Sequence, residues 1–200
     1  STQTVKVQPM IKAIQNFLNS EELKLAQDYW KIREPGLKPC TQSPNSVAVY
    51  SDFLSETFLS TKKSLVEKFV GEELTPTYTY SRMYHKGGEL VKHNDRPSCE
   101  VSISLNIFAD KDWSIWFHKL KEGTTKVNPN AKPTSYLTKP GDAIVYEGCN
   151  YSHWRDPYNG EKCMQVFLHY IRANGNYKSF ALDGRKYLGQ GKDEAMKEVW

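Results

Sequence analysis

The stretch HKGGELVKHNDRPSCEVSISLN, residues 85 to 106, sets two histidines and two carboxylates ahead of a run in which apolar and polar residues alternate. In an extended chain the alternating run places Val101 and Leu105 on one side and serines on the other. One side of this strand is therefore predicted to pack in a core, while the other is polar. His93 and Asp95 precede the run at positions i and i+2, so their side chains point the same way and can share one ion.

The length and the distribution of periodic segments indicate one domain of ordinary size. The chain has 200 residues, enough to bury a core without the support of disulfides. We expect a helical part at residues 1–74, a barrel at residues 75–175 and a C-terminal extension at residues 176–200.

Charge and cysteine usage narrow the class of protein. The net charge of +4 comes from scattered lysines, which disfavours a nucleic-acid partner. No apolar stretch approaches the roughly 20 residues that cross a bilayer, so no membrane partner is predicted. The four cysteines lack the spacing of a zinc ribbon or a disulfide framework, and a reducing, cytoplasmic location is expected.

Two amphipathic helices are predicted in the first part. In NSEELKLAQDYW, Asn19 and Glu22 have the spacing of a capping box. The predicted buried face of this helix comprises Leu25, Tyr29 and Ile32. The second helix runs through SDFLSETFLSTKKSLVEKFVG and ends at Gly71. Its predicted buried face comprises Leu54, Phe58, Leu65 and Phe69.

Strands are predicted from about Thr75 onward, where the periodicity changes to two. One face of the first strand comprises Tyr78, Tyr80, Arg82 and Tyr84. Further short strands are expected at CEVSISLNI, WSIWF, TSYLT, DAIVY and CMQVFLHYI, separated by turn-rich segments. Helices followed by many short strands favour a mainly β member of the α+β class, a sandwich or barrel with helices packed on one face.

Two ligands do not make a metal site, and a third is available further along the chain. His153 follows PGDAIVYEG, a strand-like run after a proline-glycine turn. Two histidines and a carboxylate on one side of an ion, with the other positions open, suit non-heme Fe(II). Each feature also has a plainer interpretation, since an H-x-D pair caps or salt-bridges in many proteins and a lone histidine is commonly a hydrogen-bonded core residue. We assign no chemistry to His85, His118 and His169.

The residues around the first two ligands carry a resemblance to a known family. YHKGGELVKHND, with Tyr84, Gly87, His93 and Asp95, is similar to the Y-x-x-G-x-x-x-x-x-H-x-D segment of prolyl-hydroxylase-like 2-oxoglutarate/Fe(II)-dependent dioxygenases. The family's proline-glycine turn, strand, second histidine and later basic residue correspond to KPGDAIVY, His153 and Lys162. The resemblance extends over residues 77–172.

The resemblance implies a double-stranded β-helix, a jelly-roll or cupin-like barrel with N-terminal helices on one face. It implies Fe(II) held by His93, Asp95 and His153, with positions left for 2-oxoglutarate and O₂. The far carboxylate of 2-oxoglutarate would bind a fixed cation with help from the Tyr84 hydroxyl. By position that cation is Lys162, with Arg155 as the competing candidate. Ascorbate is a candidate reductant.

The implied reaction is hydroxylation of an unactivated C–H bond, with decarboxylation of 2-oxoglutarate to succinate and CO₂. The substrate is a small molecule or a peptide. Where many relatives carry a G-G-E motif and a tryptophan, this chain has DWSIWFHK and Leu168, which sets its substrate side apart. Tryptophans at 113, 116 and 154 are interpreted either as a substrate cleft or, more simply, as core. Two other functions stay open: a cupin-like metal-dependent hydrolase or isomerase, and a catalytically inactive barrel that serves as a binding module.

Overall fold

The computed structural model describes residues 10–191. Within this range the helices are α1 (Ser20–Arg33), α2 (Phe53–Thr61) and α3 (Lys63–Val70). The strands are β1 (Ile11–Ile14), β2 (Lys38–Pro39), β3 (Ser46–Tyr50), β4 (Leu74–His85), β5 (Leu90–His93), β6 (Val101–Ala109), β7 (Ile115–Lys119), β8 (Thr134–Tyr136), β9 (Ala143–Tyr146), β10 (Tyr151–Arg155) and β11 (Lys162–Arg172). Short 3-10 turns occupy Glu34–Gly36, Pro97–Cys99 and Lys178–Gly184. No helix of residues 10–191 has the length and apolar character needed to cross a membrane.

The strands form two antiparallel sheets. The larger sheet has the order β1-β9-β6-β11-β4-β3-β2, and the smaller one has the order β5-β10-β7-β8. All pairings between named strands are antiparallel. The predicted architecture, mainly β with helices on one face, is confirmed.

The larger sheet separates two interiors of different chemistry. Along β6, Ile103 and Leu105 pack in the main apolar core with Trp30 of α1 and Leu59 of α2. Alternate residues of β6 face the other way, where Ser104 lies fully buried among polar side chains. The pleat of the strand therefore supplies an apolar core beneath the helices and polar side chains between the two sheets. A second apolar cluster also lies between the sheets, formed by Ile115 and Phe117 of β7 with Ile144 and Tyr146 of β9.

Helix α1 begins as predicted but buries a different face. The Asn19 side chain accepts from the backbone of Glu22 at 2.8 Å, and the Glu22 carboxylate accepts from the backbone of Asn19 at 3.0 Å. The buried residues are Ala26 and Trp30. The predicted face was wrong at two of its three residues, since Leu25 is 62% exposed and Ile32 is 83% exposed, while Tyr29 is half-buried and packs against the core.

The second predicted helix is interrupted. Lys62 separates α2 from α3 with φ −93° and ψ −1°, and its ammonium pairs with Glu22 of α1 at 2.8 Å. Gly71 ends α3 with φ 78°, as predicted, because a left-handed residue there favours glycine. Within the predicted face Phe58 is buried, while the other three residues are half-buried.

Strands in the first 74 residues were not predicted. β1 pairs with β9, and β3 pairs with β4, so both extend the larger sheet. They are four and five residues long, too short for periodicity to distinguish them from loop.

Candidate metal centre

The three predicted ligands come together at the end of one strand pair. His93 of β5 lies opposite His153 of β10 in the antiparallel register. Asp95 follows β5, and its backbone N–H donates to the carbonyl of Gly148 at 3.1 Å. The chain thus presents two ligands from neighbouring strands and the third from a loop fixed to the segment after β9.

The ligand atoms converge on one point. Asp95 Oδ1 lies 3.3 Å from His93 Nε2 and 3.4 Å from His153 Nε2. All three ligand atoms lie within 4.8 Å of one another. His153 and Asp95 are largely enclosed, with 2% and 11% of their side chains exposed, while 39% of His93 is exposed. The centre is therefore open on the His93 side.

The backbone fixes the tautomer of both histidines. His93 Nδ1 lies 2.6 Å from the carbonyl of Val91, and His153 Nδ1 lies 3.0 Å from the carbonyl of Tyr151. A carbonyl only accepts, so each Nδ1 carries a proton and Nε2 of each ring faces Asp95. The two Nε2 atoms and the carboxylate surround a point that suits a proton or a metal ion, and backbone partners at Nδ1 are typical of metal-binding histidines.

The close approach of Asp95 and His153 also shifts the pKa values of both groups. Burial raises the pKa of the Asp95 carboxyl, but the charge of His153 and hydrogen bonds from both histidines outweigh it and hold that pKa far below its ordinary value. Burial lowers the pKa of His153, and the Asp95 carboxylate more than offsets this, so the pKa is raised. Asp95 Oδ2 is buried without a hydrogen-bond partner among the described residues. A divalent cation would replace the proton on His153, and these residues fit such an ion.

Gly148 forms a wall of the centre that no other residue can replace without movement. A Cβ atom added there would lie 2.1 Å from Asp95 Oδ2 and 2.7 Å from the carbonyl oxygen of Cys99. Because real Cβ atoms essentially never approach this closely, any side chain at 148 would displace Asp95 or the backbone.

A cavity of about 460 Å³ opens beside the three ligands. This volume lies within the range of small-molecule sites. Two arginines line it: Arg96, which pairs with Asp183, and Arg82. Its remaining lining residues are Gln42, Tyr50, Tyr78, Tyr80, Leu90, Val91, Asn94, Cys99, Tyr146, Phe167 and His169, together with the three ligands.

Arg155 lies in the interior between the sheets, where both it and Tyr84 contact the ring of Trp113. It is not among the residues that line the cavity. It lies two residues after His153 on β10, on the same face of the strand, and is 3% exposed. Its guanidinium donates to the carbonyl of Trp113 at 2.8 Å and lies 3.3 Å from Ser104 Oγ. The pKa of Arg155 is lowered by burial, and its Nε has no partner among the described residues.

Lys162 lies elsewhere. Its ammonium is at the surface, paired with Glu34 at 2.8 Å, and half of the side chain is exposed. On β11 the neighbouring Cys163 is buried, and Gln165 contacts Arg155 and Ser104. Inward-facing positions on this strand therefore have odd numbers, and the structure does not bring Lys162 to the other predicted site residues.

Sequence reasoning overlooked two cavity residues. Arg82 stood on the predicted face with Tyr84, but a single arginine in a strand carries no signal of its own. His169 was assigned no chemistry, yet it lines the cavity and hydrogen bonds Ser102 through Nδ1 at 2.8 Å. Burial lowers the pKa of His169 to about 4, so its ring is neutral at physiological pH.

None of the three tryptophans lines the cavity over the ligands. Trp116 and Trp154 stack on each other at 6.1 Å between ring centroids, and the Lys92 ammonium lies over Trp154. Trp113 packs on Tyr158 and on Arg155. The interpretation of these residues as a substrate cleft is thus not supported by their positions.

Comparison with known proteins was made by sequence and by structure. The sequence matches no protein-family description and no curated protein. Similar solved structures include a prolyl-4-hydroxylase from Pseudomonas putida, with a TM-score of 0.63 and 14% identity over 82% of this chain and 94% of that chain.

Two further similar structures come from other enzymes. HygX from Streptomyces hygroscopicus, solved with nickel, 2-oxoglutarate and hygromycin B, has a TM-score of 0.62 and 10% identity over 84% of this chain and 85% of that chain. SnoK from nogalamycin biosynthesis, a non-heme alpha-ketoglutarate-dependent carbocyclase, has a TM-score of 0.64 and 11% identity over 82% of this chain and 80% of that chain. At these identities the likeness shows the fold, and the expected double-stranded β-helix is confirmed.

Proposed function

We propose that the chain is an Fe(II)- and 2-oxoglutarate-dependent dioxygenase that hydroxylates an unactivated C–H bond of a small molecule or peptide. The observation that carries this proposal is the convergence of three acceptors, two imidazole nitrogens and one carboxylate oxygen, beside an open cavity. Two histidines and one carboxylate with open positions are the donor set of non-heme Fe(II) oxygenases. Similar folds occur in a prolyl-4-hydroxylase and in a carbocyclase, so the class is better supported than the type of reaction.

The ion and co-substrate, when bound, would supply the oxidation: one atom of O₂ enters the product and the other enters succinate, while the first carbon of 2-oxoglutarate leaves as CO₂. The chain's own contribution is to position these groups. His93, Asp95 and His153 would hold the ion from one side, which leaves the cavity side free. The backbone carbonyls of Val91 and Tyr151 keep both imidazoles in the metal-binding tautomer.

The co-substrate needs a cation for its far carboxylate, and we assign that role to Arg155 with Tyr84 beside it. Arg155 is buried and has no carboxylate partner among the described residues. Lys162, the first candidate from the sequence, already has Glu34 as its partner at the surface. Gln165 and Ser104 would hold the Arg155 guanidinium in place.

A reducing, cytoplasmic location is part of the same proposal. All four cysteines are free, as is usual for a protein kept in a reducing compartment.

The proposal is tested with anaerobic, Fe(II)-loaded protein. We expect 2-oxoglutarate to induce a visible absorption band and, in air, to be converted to succinate. Asp95→Ala should abolish both signals without unfolding the protein, because the apolar core, not the ion, supports the fold. Glu161→Ala, which removes a carboxylate that is 78% exposed, is the matched control.

The two alternative functions give different results in the same experiment. A cupin-like hydrolase or isomerase would bind a divalent ion, but 2-oxoglutarate would produce no absorption band. An inactive barrel would bind neither ion nor 2-oxoglutarate with the 1:1 stoichiometry that the three ligands require. Full turnover by Asp95→Ala would show that the ligand assignment is wrong.

A further inference from the structure

We propose that Arg82 binds a carboxylate of the primary substrate, so that the substrate is a small carboxylic acid. This inference rests on the proposed function. If the ion and 2-oxoglutarate bind at the three ligands and Arg155, the part of the cavity beside Arg82 is left for the substrate. Arg82 lies on β4, is 4% exposed, and lines the same cavity as His93, Asp95 and His153.

The partners of Arg82 are a hydroxyl, an amide and a thiol rather than a carboxylate. Burial raises the pKa of the Cys40 thiol, but the hydrogen bond from Tyr80 and the charge of Arg82 outweigh it, so that pKa is lowered. The Arg82 guanidinium contacts Tyr84 Oη at 3.0 Å, Gln42 Oε1 at 3.4 Å and Cys40 Sγ at 3.5 Å. Its Nε has no partner among the described residues. The contacts to Gln42 and Cys40 are long, and they leave hydrogen-bonding capacity on the side of the cavity.

Most other arginines of the chain, unlike Arg82, pair with a carboxylate. Of the chain's six arginines, four pair with carboxylates within 3.2 Å: Arg33, Arg96, Arg172 and Arg185. Of the arginines in residues 10–191, only Arg82 and Arg155 have no carboxylate partner. A buried charge without a counter-charge is costly, and such cost is commonly retained where a ligand supplies the missing group.

Aromatic rings cover part of the Arg82 guanidinium. The guanidinium carbon lies 5.1 Å from the ring centroid of Tyr80, 5.5 Å from that of Tyr84 and 5.9 Å from that of Phe167. Tyr80 and Phe167 also line the cavity. Cation–π contacts of this kind offset part of the desolvation, but they do not neutralise the charge.

The charges of the complete site leave room for one more anion. Asp95 and the two carboxylates of 2-oxoglutarate contribute three negative charges. A divalent ion with Arg82 and Arg155 contributes four positive charges, while Arg96 is neutralised by Asp183. One positive charge therefore remains, and the planar guanidinium of Arg82 matches a carboxylate through paired hydrogen bonds.

The experiment uses the full chain loaded with Ni(II) and saturated with 2-oxoglutarate, so that no turnover occurs. Monocarboxylates from acetate to hexanoate, and benzoate, are titrated by calorimetry, each beside its primary amide. We expect at least one acid to bind with its amide weaker by roughly 30-fold or more, since truncating one partner of a buried charge pair costs 2 kcal/mol or more.

Arg82→Gln should cause the same loss of acid binding, and Arg82→Lys should restore part of it. The affinity for 2-oxoglutarate, measured in the same titrations, should fall less than the affinity for the acid in both variants, because Arg82 contacts the assigned anchor only through Tyr84 Oη. Cys40→Ser should keep acid binding. This variant has no Cys40 thiolate that could compete with the acid for Arg82. Without ligands, Arg82→Met should unfold at the same temperature as the wild type or higher, since it removes an uncompensated charge.

Several outcomes would overturn the inference. These are equal binding of acids and amides, no acid binding by the 2-oxoglutarate complex, and a lower unfolding temperature of Arg82→Met. If Arg82→Gln weakens 2-oxoglutarate instead, Arg82 is the co-substrate anchor and not a substrate residue. Failure of 2-oxoglutarate to bind the wild type would count against the proposed function itself, which is a separate result.

Discussion

From the sequence, two cations compete for the far carboxylate of 2-oxoglutarate: Arg155, which lies in the interior between the sheets, and Lys162, whose ammonium lies at the surface. Burial distinguishes them. A guanidinium in a desolvated pocket gains a strong, paired hydrogen bond from a carboxylate, whereas an exposed ammonium with a partner gains little from another one. Arg155 is 3% exposed, and Lys162 has Glu34.

We therefore predict that two matched substitutions differ in their effect on 2-oxoglutarate binding. Arg155→Gln should raise the apparent constant for 2-oxoglutarate by a few hundred-fold or more, because a buried carboxylate left without its cation costs roughly 3 to 5 kcal/mol. Lys162→Gln should leave it nearly unchanged. Titration of 2-oxoglutarate at saturating Fe(II) measures both. A large loss in Lys162→Gln with a silent Arg155→Gln would restore the assignment made from the sequence.

Gly148 is a positioning residue whose role follows from space alone. Gly148→Ala places a methyl group 2.1 Å from the initial position of Asp95 Oδ2, so the carboxylate must move away from the histidines. We expect the affinity for Fe(II) or Co(II) to fall about 10- to 100-fold, as for other supports of metal ligands. The control is Gly36→Ala, whose added methyl meets only the tip of Arg33 at 3.0 Å. Unchanged metal affinity in a folded Gly148→Ala would contradict the role.

At the scale of elements, residues 176–191 are joined to the barrel by the pair of Asp183 with Arg96 and by the fully buried pair of Arg185 with Glu56. Arg185 is fully buried, pairs with Glu56 of α2, and donates to the carbonyl of Thr77 in β4 at 2.7 Å. Of the extension expected at residues 176–200, residues 192–200 lie outside the described residues, and the part that contains Arg185 is fixed to a helix and to the strand that carries Arg82.

We predict that removing one partner of the pair of Arg185 with Glu56 lowers the free energy of unfolding much more than removing both charges does. Arg185→Met should lower the free energy of unfolding by about 3 to 5 kcal/mol, because Glu56 would remain buried and unpaired. Glu56→Gln alone should also destabilise. The double variant should recover much of the loss, and denaturant unfolding of all four proteins measures the coupling. Additive losses would show that the two side chains act independently.

Local patterns predicted the elements better than they predicted which residues those elements bury. The capping box located the start of α1, since Asn19 and Glu22 satisfy each other whatever the tertiary contacts are. Its buried face depended on where the larger sheet lies, and the apolar residues Leu25 and Ile32 are exposed. The H-x-D spacing likewise predicted that the side chains of His93 and Asp95 lie together, 3.3 Å apart in the structure, because both belong to one local segment.

The position of the anchor could not be predicted in this way. In a strand, a shift of one residue reverses the side chain's face. The loop between β10 and β11 sets that parity, so a lysine at 162 faces Glu34 at the surface while Cys163 faces inward. Arg82 and Gly148 were missed for a related reason: their roles arise from residues distant in sequence.

At the scale of the whole molecule, the candidate site joins the two sheets. His93 and His153 belong to the smaller sheet, and Asp95 is fixed to Gly148, which follows β9 of the larger one. Arg155 reaches from the smaller sheet to Ser104 on β6 of the larger sheet. An ion and a dicarboxylate bound here would therefore add links between sheets that the apolar core of the larger sheet does not provide.

We predict that the metal-free protein is folded and that ligands raise its unfolding temperature in a linked manner. Chelator-treated protein should unfold in one transition, because the core under the helices contains no metal ligand. Ligands at about 100 times their dissociation constants add roughly 2.7 kcal/mol, which corresponds to about 5 to 10 °C for a chain of this size. Ni(II) alone should give part of the shift, and 2-oxoglutarate should add to it only when Ni(II) is present. The same titration with Asp95→Ala is the control and should show no shift. If 2-oxoglutarate stabilises that variant or the metal-free protein equally, it binds away from His93, Asp95 and His153, and the site does not join the sheets through the ion.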